Sequence, residues 1–307
     1  MSGLRRRVGF TPLMASAGSD SPETLADALH RASERLARAG VPDPVVDAEL
    51  LVGHVLGAGR GAVQAAAIRG AGIDSVASER IDRLIDRRAT REPLQHITGT
   101  APFRHLELRV GPGVFVPRPE TEMVAQLAID ALMAAASPAP IAVDLGTGSG
   151  AIALALATEV PHARVHAAEN SVDAFVWTEE NFRAVAADNA RLAFVDLADA
   201  FPELDGTVSV LVSNPPYVPD AAIPRDPEVR FFDPPAALYG GEDGLDVVRV
   251  LSQVGLRLLH SGGTIVLEHG EWQGEPIRAL LAADGWRATA THPDLTMRDR
   301  ATTAIRP

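Results

Sequence analysis

The chain has 307 residues and a formal net charge of −12, and it contains neither cysteine nor lysine, so all 28 basic residues are arginines. The missing residue types exclude disulfides, thiolate nucleophiles and cysteine metal sites, and also Walker-A phosphate loops and Schiff-base chemistry. The acidic balance disfavours a protein that coats duplex DNA, and no apolar run approaches the roughly 20 residues that cross a bilayer.

Residues 1–19 are predicted to be a disordered tail. Three arginines precede a short apolar stretch there, as in a secretory signal, but Thr11 and Pro12 interrupt that stretch. We therefore expect a cytoplasmic protein that does not bind a membrane.

Residues 20–90 are predicted to form a helical domain without strands. The first helix has Ser21 as its expected cap and ends at Gly40, and the second begins at Pro44 and ends at Gly57. Apolar residues at helical spacing over 76–85 predict a third helix. A stripe of arginines lies at the end of this domain: Arg83, Arg87, Arg88 and Arg91. This stripe is either a solvated face or a contact with a partner protein or its ribosomal RNA surroundings.

Residues 91–116 are predicted to connect this domain to the rest of the chain. From Leu94 to Phe115 the residues alternate between apolar and polar and are punctuated by glycines and prolines, which indicates extended segments and a β-hairpin.

Over residues 117–307 predicted strands and helices alternate, which is typical of an α/β domain with a doubly wound parallel sheet. The predicted strands are Ile141–Leu145, Arg164–Ala168, Leu192–Val195, Val208–Val212 and Thr264–Glu268. The predicted helices include Glu120–Ala136, Ala151–Thr158, Ser171–Ala187 and Leu245–His260.

A glycine-rich loop follows the first of these strands and opens a helix. Glycines let backbone N–H groups approach a ligand at the positive end of the helix dipole, and an acid after the next strand can accept hydrogen bonds from a ribose. The residues expected to bind a nucleotide-like ligand are Asp144, Gly146, Thr147, Gly148, Ser149, Gly150 and Glu169. The spacing also satisfies the relaxed dinucleotide fingerprint, so a nicotinamide enzyme stays open here, as does a loop that serves only packing.

A second motif, Asn214-Pro215-Pro216-Tyr217, follows the strand Val208–Val212, whose carboxyl end lies at the same sheet edge as the glycine loop. The prolines fix φ and remove two N–H donors, so the carbonyl groups of Asn214 and Pro215 are held rigid with few local partners. Together with the Asn214 amide oxygen they suit an –NH₂ group, and Tyr217 can stack on the planar system that bears it. Alone, the motif is also compatible with a stiff turn that ends a strand.

Together the two motifs resemble those of S-adenosylmethionine methyltransferases that act on planar NH₂ groups. Further motifs resemble the HemK/PrmC family, the N5-glutamine methyltransferases of peptide-chain release factors, and the similarity covers nearly everything after residue 20. These motifs are Asp47–Leu51, Arg91–Gly99, Pro117–Glu122, Val229–Pro234, Gly240–Asp246 and Glu268–Gln273. The resemblance implies a Rossmann-like class I methyltransferase domain with a doubly wound sheet, preceded by a small helical domain and a β-hairpin connector.

The family implies methyl transfer from S-adenosyl-L-methionine, without a metal, to the glutamine side-chain nitrogen in the Gly-Gly-Gln motif of class I release factors. S-adenosyl-L-homocysteine would be the product. The helical domain would recognise the substrate protein, DNA would not be a partner, and a monomer is expected. The residues implied to carry the reaction and bind substrate are Asn214, Pro215, Pro216 and Tyr217.

The resemblance also assigns the surroundings of these residues. Arg118 and Glu120 are implied to form a wall of the site, with a loop clamp as the alternative, and Asn214 is expected to contact the cofactor as well. Asp196 is the implied adenine contact. Two positions depart from the family pattern: Glu169 stands where aspartate is commoner, and Leu197 stands where an aromatic residue often flanks the adenine.

Two other functions stay open from the sequence. An adenine-N6 DNA methyltransferase acts on a similar –NH₂ group, but it needs a basic groove and a base-flipping region, for which the net charge of −12 and the small helical domain leave little room. A non-catalytic cofactor-binding adaptor is disfavoured by the intact Asn214–Tyr217 motif.

Overall fold

The structure, a computed structural model, describes residues 23–307. The predicted tail over residues 1–19 and the predicted cap at Ser21 lie outside the described residues. The chain divides into two compact units, one that ends at Thr98 and one that runs from Gly99 to Pro307. Residues 91–98 of the predicted connector therefore group with the helices, and residues 99–116 group with the sheet.

The first unit is helical throughout its described elements. The helices are α1 (Leu25–Arg38), α2 (Pro44–Leu56), α3 (Arg60–Ile68), α4 (Ser75–Ala89) and α5 (Leu94–Thr98). Thr24 caps α1, because its hydroxyl oxygen accepts the Asp27 backbone N–H at 3.1 Å, so this helix begins later than expected. The apolar faces of the helices share one buried core that includes Leu25, Leu36, Leu51, Ile81 and Ile85.

Two of these helices, α3 and α5, are absent from the sequence prediction. The prediction of extended backbone is wrong for Leu94–Thr98, which forms a short helix that begins directly after Pro93. A single helical turn is too short to show a period of 3.6 residues, and the glycines and prolines around it favour a reading as turns.

The arginine stripe is internal to this unit only in part, because Arg83 and Arg87 are exposed and Arg88 is buried. Arg88 is only 5% exposed, and its Nε donates to Asp47 Oδ2 at 2.7 Å. Arg87 donates to both carboxylate oxygens of Glu92, at 2.9 and 2.5 Å. The interpretation as a solvated face is therefore wrong for Arg88, and both guanidinium groups are engaged by carboxylates of the same unit.

The second unit begins with the antiparallel hairpin of β1 (Thr100–Phe103) and β2 (Leu106–Arg109). A seven-stranded sheet follows, formed by β3 (Ile141–Leu145), β4 (Arg164–Glu169), β5 (Ala190–Phe194), β6 (Val208–Ser213), β7 (Leu259–Glu268), β8 (Arg287–Pro293) and β9 (Asp299–Ile305). The helices of this unit are α6 (Thr121–Ala134), α7 (Ala151–Glu159), α8 (Val172–Val185), α9 (Pro227–Phe232), α10 (Pro235–Leu238), α11 (Asp246–Leu258) and α12 (Gly274–Ala283).

The sheet has the order β5-β4-β3-β6-β7-β9-β8. The first five strands in this order are parallel, whereas β9 runs antiparallel to both β7 and β8. The predicted doubly wound parallel sheet is therefore confirmed for β3 to β7, and the structure adds an antiparallel edge, where α12, β8 and β9 extend the domain beyond the last predicted strand.

Helices cover both faces of the sheet. Along β3, Ile141, Val143 and Leu145 join one buried cluster with residues of α11 and α12, while Ala142 joins another with residues of α6 and α7. Strands buried on both faces read as continuous apolar runs, which is why β3 and β6 are visible in the sequence. The carboxyl ends of β3 to β7 share one edge, where the two motifs lie. Within residues 23–307 no helix is both long and apolar enough to cross a bilayer.

Candidate active site

The glycine loop turns sharply between β3 and α7. Gly146, Gly148 and Gly150 have φ angles of 69°, 57° and 84°, a region that favours glycine. A Cβ atom at Gly146 or Gly148 would meet nothing within 4 Å, whereas at Gly150 it would lie 3.0 Å from Phe182 Cε2. The first two glycines therefore border open space, and Gly150 allows α7 to approach α8.

Several N–H groups of this loop are already engaged. Gly146 N and Thr147 N both donate to Ala168 O at 3.0 Å, and Gly148 N donates to Glu169 Oε2 at 2.8 Å. These three N–H groups therefore have partners within the protein, and their contact with a ligand stays a prediction.

Asp144 lies buried beneath the loop, at the end of β3. Its Oδ2 accepts hydrogen bonds from Thr147 Oγ1 (2.6 Å) and from the backbone N–H of Ala153 (3.1 Å). Burial nevertheless raises the pKa of Asp144 to about 7, with a smaller contribution from the charge of Glu169. Asp144 therefore ties the loop to the start of α7.

Glu169 ends β4, Asp196 follows β5, and the two acids are linked through Asn170. Glu169 Oε1 accepts two backbone N–H groups, at 3.0 and 2.8 Å, while Oε2 accepts, from the residues that the structure describes, that of Gly148 alone. A carboxylate oxygen has about two acceptor positions, so Oε2 can still accept a hydroxyl. Asn170 Nδ2 donates to Asp196 Oδ2 at 2.8 Å, which fixes the two acids relative to each other.

The Asn-Pro-Pro-Tyr motif continues directly from β6. Ser213 Oγ donates to Leu145 O at 2.6 Å and so ties the end of β6 to the end of β3. Asn214 is half-buried and Pro215 is buried. No residue in the described part of the chain donates a hydrogen bond to the Pro215 carbonyl oxygen, which agrees with the expectation of a rigid acceptor.

A second glycine motif packs against these residues. Tyr217 O accepts a hydrogen bond from Gln273 Nε2 at 2.9 Å. A Cβ atom at Gly240 would collide with Pro216 O, and one at Gly244 would collide with Tyr217 O. The glycines of the Gly240–Asp246 motif thus allow its loop to pack closely against the backbone carbonyl groups of Pro216 and Tyr217.

Arg118 forms a wall of the site and a clamp at once. Its Nη2 donates to Asp233 Oδ2 at 2.8 Å, and its guanidinium lies 5.0 Å from the Phe115 ring centroid. Burial raises the pKa of Asp233 to about 6 although Arg118 opposes this shift. Glu120 is half-buried at the start of α6. Arg118 therefore lines the cavity and is held by Asp233, and its part in ligand binding stays a prediction.

Glu268 ends β7 and is 1% exposed, and its proximity to Asn214 was not predicted from the sequence. Burial raises its pKa to about 7, while the side chains of Thr121, Arg300 and Asn214 lower it. Burial and the charge of Glu268 raise the pKa of the Tyr217 phenol, which stays protonated. The sequence feature that could have identified Glu268 is its position, because it ends a predicted buried strand at the same sheet edge as Asp144 and Asn214.

One cavity of about 820 Å³ joins these groups, within the range of about 300–1,000 Å³ that is usual for small-molecule sites. Every predicted site residue except Gly150 lines it: Arg118, Glu120, Asp144, Gly146, Thr147, Gly148, Ser149, Glu169, Asp196, Asn214, Pro215, Pro216 and Tyr217. Leu197 lines it as well, beside Asp196. The structure therefore brings both sequence motifs to one pocket.

Comparison with known families separates the same two parts of the chain. Residues 27–99 match the family described as the PrmC N-terminal domain, and residues 105–238 match the methyltransferase small domain. The chain is 49% identical over 276 residues to the release factor glutamine methyltransferase of Streptomyces coelicolor, an alignment that covers 89% of this chain and 95% of that protein.

Two further relatives define how far this similarity extends. The 4-amino-L-phenylalanine/4-methylamino-L-phenylalanine methyltransferase of Streptomyces pristinaespiralis is 38% identical over 289 residues, which cover 92% of this chain and 95% of that protein. A solved 16S rRNA N2-G1207 methyltransferase from T. thermophilus is 22% identical with a TM-score of 0.50, over 68% of this chain and 50% of that one. This likeness concerns the fold alone and confirms the predicted Rossmann-like fold, while the family match over residues 105–238 confirms the methyltransferase domain.

Proposed function

The chain belongs to the release factor glutamine methyltransferase family, and from this premise we propose that it methylates the side-chain amide nitrogen of a glutamine in peptide-chain release factors. The acceptor is the glutamine of their Gly-Gly-Gln motif, and the donor is S-adenosyl-L-methionine, which leaves as S-adenosyl-L-homocysteine. The observation that carries this proposal is the Asn214–Tyr217 segment, whose acceptors border the same cavity as the glycine loop.

The residues around the cavity fit the donor. Gly146 and Gly148 leave open space for its methionine part, and Glu169 Oε2 keeps a free acceptor position that suits a ribose hydroxyl. Asp196 and Leu197 line the part of the cavity proposed for the adenine. When bound, this donor supplies a methyl group activated by its positively charged sulfur.

The nitrogen of a glutamine amide is a weak nucleophile because its lone pair is delocalised into the carbonyl group. Asn214 Oδ1 and the Pro215 carbonyl oxygen would each accept one of its hydrogens and so turn the nitrogen towards the methyl group. Tyr217 would stack on the planar amide. Such positioning can contribute roughly 7–11 kcal/mol to lowering a barrier. The nitrogen forms its bond to the methyl group as the sulfur–methyl bond breaks, and it loses one proton to solvent as or after the methyl group arrives, so Asn214 acts as an orienting acceptor rather than a base.

The two units would divide the work. A pocket that fits one glutamine cannot by itself distinguish a release factor from other proteins, so the helical unit is proposed to bind the substrate protein. The enzyme would act as a monomer in the cytoplasm and need no metal.

The decisive experiment measures transfer of a labelled methyl group to a purified release factor, to its Gln→Ala variant in the Gly-Gly-Gln motif, and to duplex DNA. We expect label only on the release factor that retains the glutamine. Asn214→Ala should bind the donor within about twofold of wild type by calorimetry, yet lose at least about a hundredfold in transfer rate. Near-normal turnover by this variant contradicts the proposed role of Asn214.

The alternatives are outcomes of the same assay. Label on DNA would indicate an adenine methyltransferase, and donor binding without transfer would indicate an adaptor. Because one relative is named for 4-amino-L-phenylalanine, this amino acid is included as a further acceptor, and its methylation in place of the release factor would redirect the assignment to free aromatic amines.

A further inference from the structure

Glu268 is a buried carboxyl group beside Asn214 to which the proposed reaction assigns no task. In the parallel pair of β6 and β7, Ser213 lies opposite Leu267, so Asn214 and Glu268 are the next residues on neighbouring chains, which run about 4.8 Å apart. Residues at equivalent positions of parallel strands direct their side chains to the same face. The register therefore brings the carboxyl group to the side chain of Asn214.

The groups around Glu268 come from each element packed against it. Asn214 follows β6, Thr121 and Glu120 lie at the start of α6, and Arg300 belongs to β9, opposite the end of β7. The Tyr217 phenol is also close enough for the charge of Glu268 to raise its pKa. His269 is engaged elsewhere, because its Nδ1 lies 2.8 Å from Gly270 O and its Nε2 lies 2.9 Å from Thr302 Oγ1.

An amide side chain can face a neighbour with either end, and Asn214 must present its oxygen, not its NH₂, to a substrate NH₂. A carboxylate only accepts hydrogen bonds, so an ionised Glu268 attracts Nδ2 of Asn214 and leaves Oδ1 directed to the cavity. A protonated Glu268 instead donates its O–H to Asn214 Oδ1, and this hydrogen bond favours the opposite orientation. In that orientation the NH₂ group of Asn214 would face the NH₂ group of the substrate, and neither could accept a hydrogen bond from the other.

We infer that Glu268 is a positioning residue, which holds the Asn214 amide with its oxygen towards the substrate nitrogen. This role rests on the proposed function and adds a requirement to it: the carboxyl group has to be ionised during methyl transfer. Arg300 favours the ionised form by its charge, whereas Glu120 and burial oppose it. The balance leaves the pKa near 7, so the fraction of correctly oriented Asn214 should rise with pH across the neutral range.

The test measures kcat and KM for a release factor from about pH 5.5 to about pH 9, at saturating donor, for wild type, Glu268→Gln and Glu268→Asp. The matched control is Glu159→Gln, which removes a carboxylate that is paired with Arg104 and does not line the cavity. Donor affinity and thermal unfolding are measured in parallel, because a merely structural role would change stability without changing the shape of the pH profile.

We expect wild-type kcat to fall about tenfold per pH unit below about pH 7 and to be level above it. Glu268→Gln should lower kcat at least about tenfold at high pH, keep the dissociation constant of the donor within about twofold, and lose the rising limb. Glu268→Asp should retain that limb with a lower plateau, and Glu159→Gln should match wild type.

A flat wild-type profile overturns the inference whether or not the variants fold. So does a Glu268→Gln enzyme that keeps the rising limb or stays within about threefold of wild-type kcat. If wild type does not methylate the release factor at any pH, the proposed function itself fails, and the two failures are thus distinguishable.

Discussion

The raised pKa of Asp233, the partner of Arg118 in the cavity wall, can be tested through the pH dependence of the free energy of unfolding. This carboxyl group is 5% exposed and accepts a hydrogen bond from Arg118, yet burial raises its pKa from 3.8 to about 6. The folded state therefore binds its proton more tightly than the unfolded state does. This contribution to stability is fully present below about pH 4 and is lost as pH rises through about 6, the reverse of an ordinary paired carboxylate.

The magnitude follows from the shift of about two pKa units. At 1.36 kcal/mol per unit, ionising Asp233 lowers the free energy of unfolding by about 3 kcal/mol in total. About 1.5 kcal/mol of this decrease falls between about pH 5 and about pH 8. Asp233→Asn keeps the shape and an acceptor for Arg118 but cannot ionise. The stability of this variant relative to wild type should therefore rise by about 1.5 kcal/mol over the same interval.

Denaturant unfolding at several pH values, followed by tryptophan fluorescence, measures this difference. All three tryptophans, Trp177, Trp272 and Trp286, belong to the second unit, so the signal reports on the unit that contains Asp233. Asp243→Asn is the control, because Arg249 lowers the pKa of Asp243 to about 2 and this group stays ionised throughout. A difference between Asp233→Asn and wild type that does not change with pH would refute the reasoning.

Two further predictions concern the glycine loop and the helical unit. Gly146→Ala and Gly150→Ala both place a Cβ atom at a positive φ, so each should lower the free energy of unfolding by about 1–2 kcal/mol through backbone strain. Gly146→Ala should in addition weaken donor binding, because its methyl group enters open space, whereas Gly150→Ala should lose further stability, because its methyl group meets Phe182. Calorimetry and denaturant unfolding separate the two. Ile68 is 87% exposed on the helical unit, and Ile68→Glu should raise KM for the release factor and leave donor affinity unchanged. Met133 is 66% exposed on the second unit, and the control Met133→Glu should change neither KM nor donor affinity. If the two variants raise KM equally, the helical unit does not recognise the release factor.

The sequence predicts best those elements whose burial is uniform or periodic. The bounds of β3 agree with the prediction, and α2 begins at Pro44 and ends before Gly57 as expected. By contrast β8 and β9 escape prediction, since β8 is mostly exposed or half-buried along its length and lacks a continuous apolar run. Strand propensity depends on which neighbours a strand packs against, and this cannot be read from the strand itself.

The candidate site divides in a similar way. Residues that carry their own local signal, such as the glycines of the loop and the prolines of Pro215-Pro216, are identified because glycine and proline restrict the backbone directly. Asp233 and Arg300 carry no such signal. Their importance arises from partners far away in the chain, as in the contact of Arg118 with Asp233, 115 residues apart.

Three buried carboxyl groups with raised pKa values surround the cavity, and each acts on a different loop. Asp144 accepts hydrogen bonds from the glycine loop, Asp233 pairs with the Arg118 loop, and Glu268 lies beside Asn214. Each ionised group costs stability in a buried position, so a fold selected for stability alone would replace them with apolar residues. Asp144 and Glu268 lie at one sheet edge, and Asp233 pairs with an arginine that lines the cavity. This placement is better explained by the loops that the three groups orient, because a weak nucleophile depends on orientation more than on any single reactive side chain.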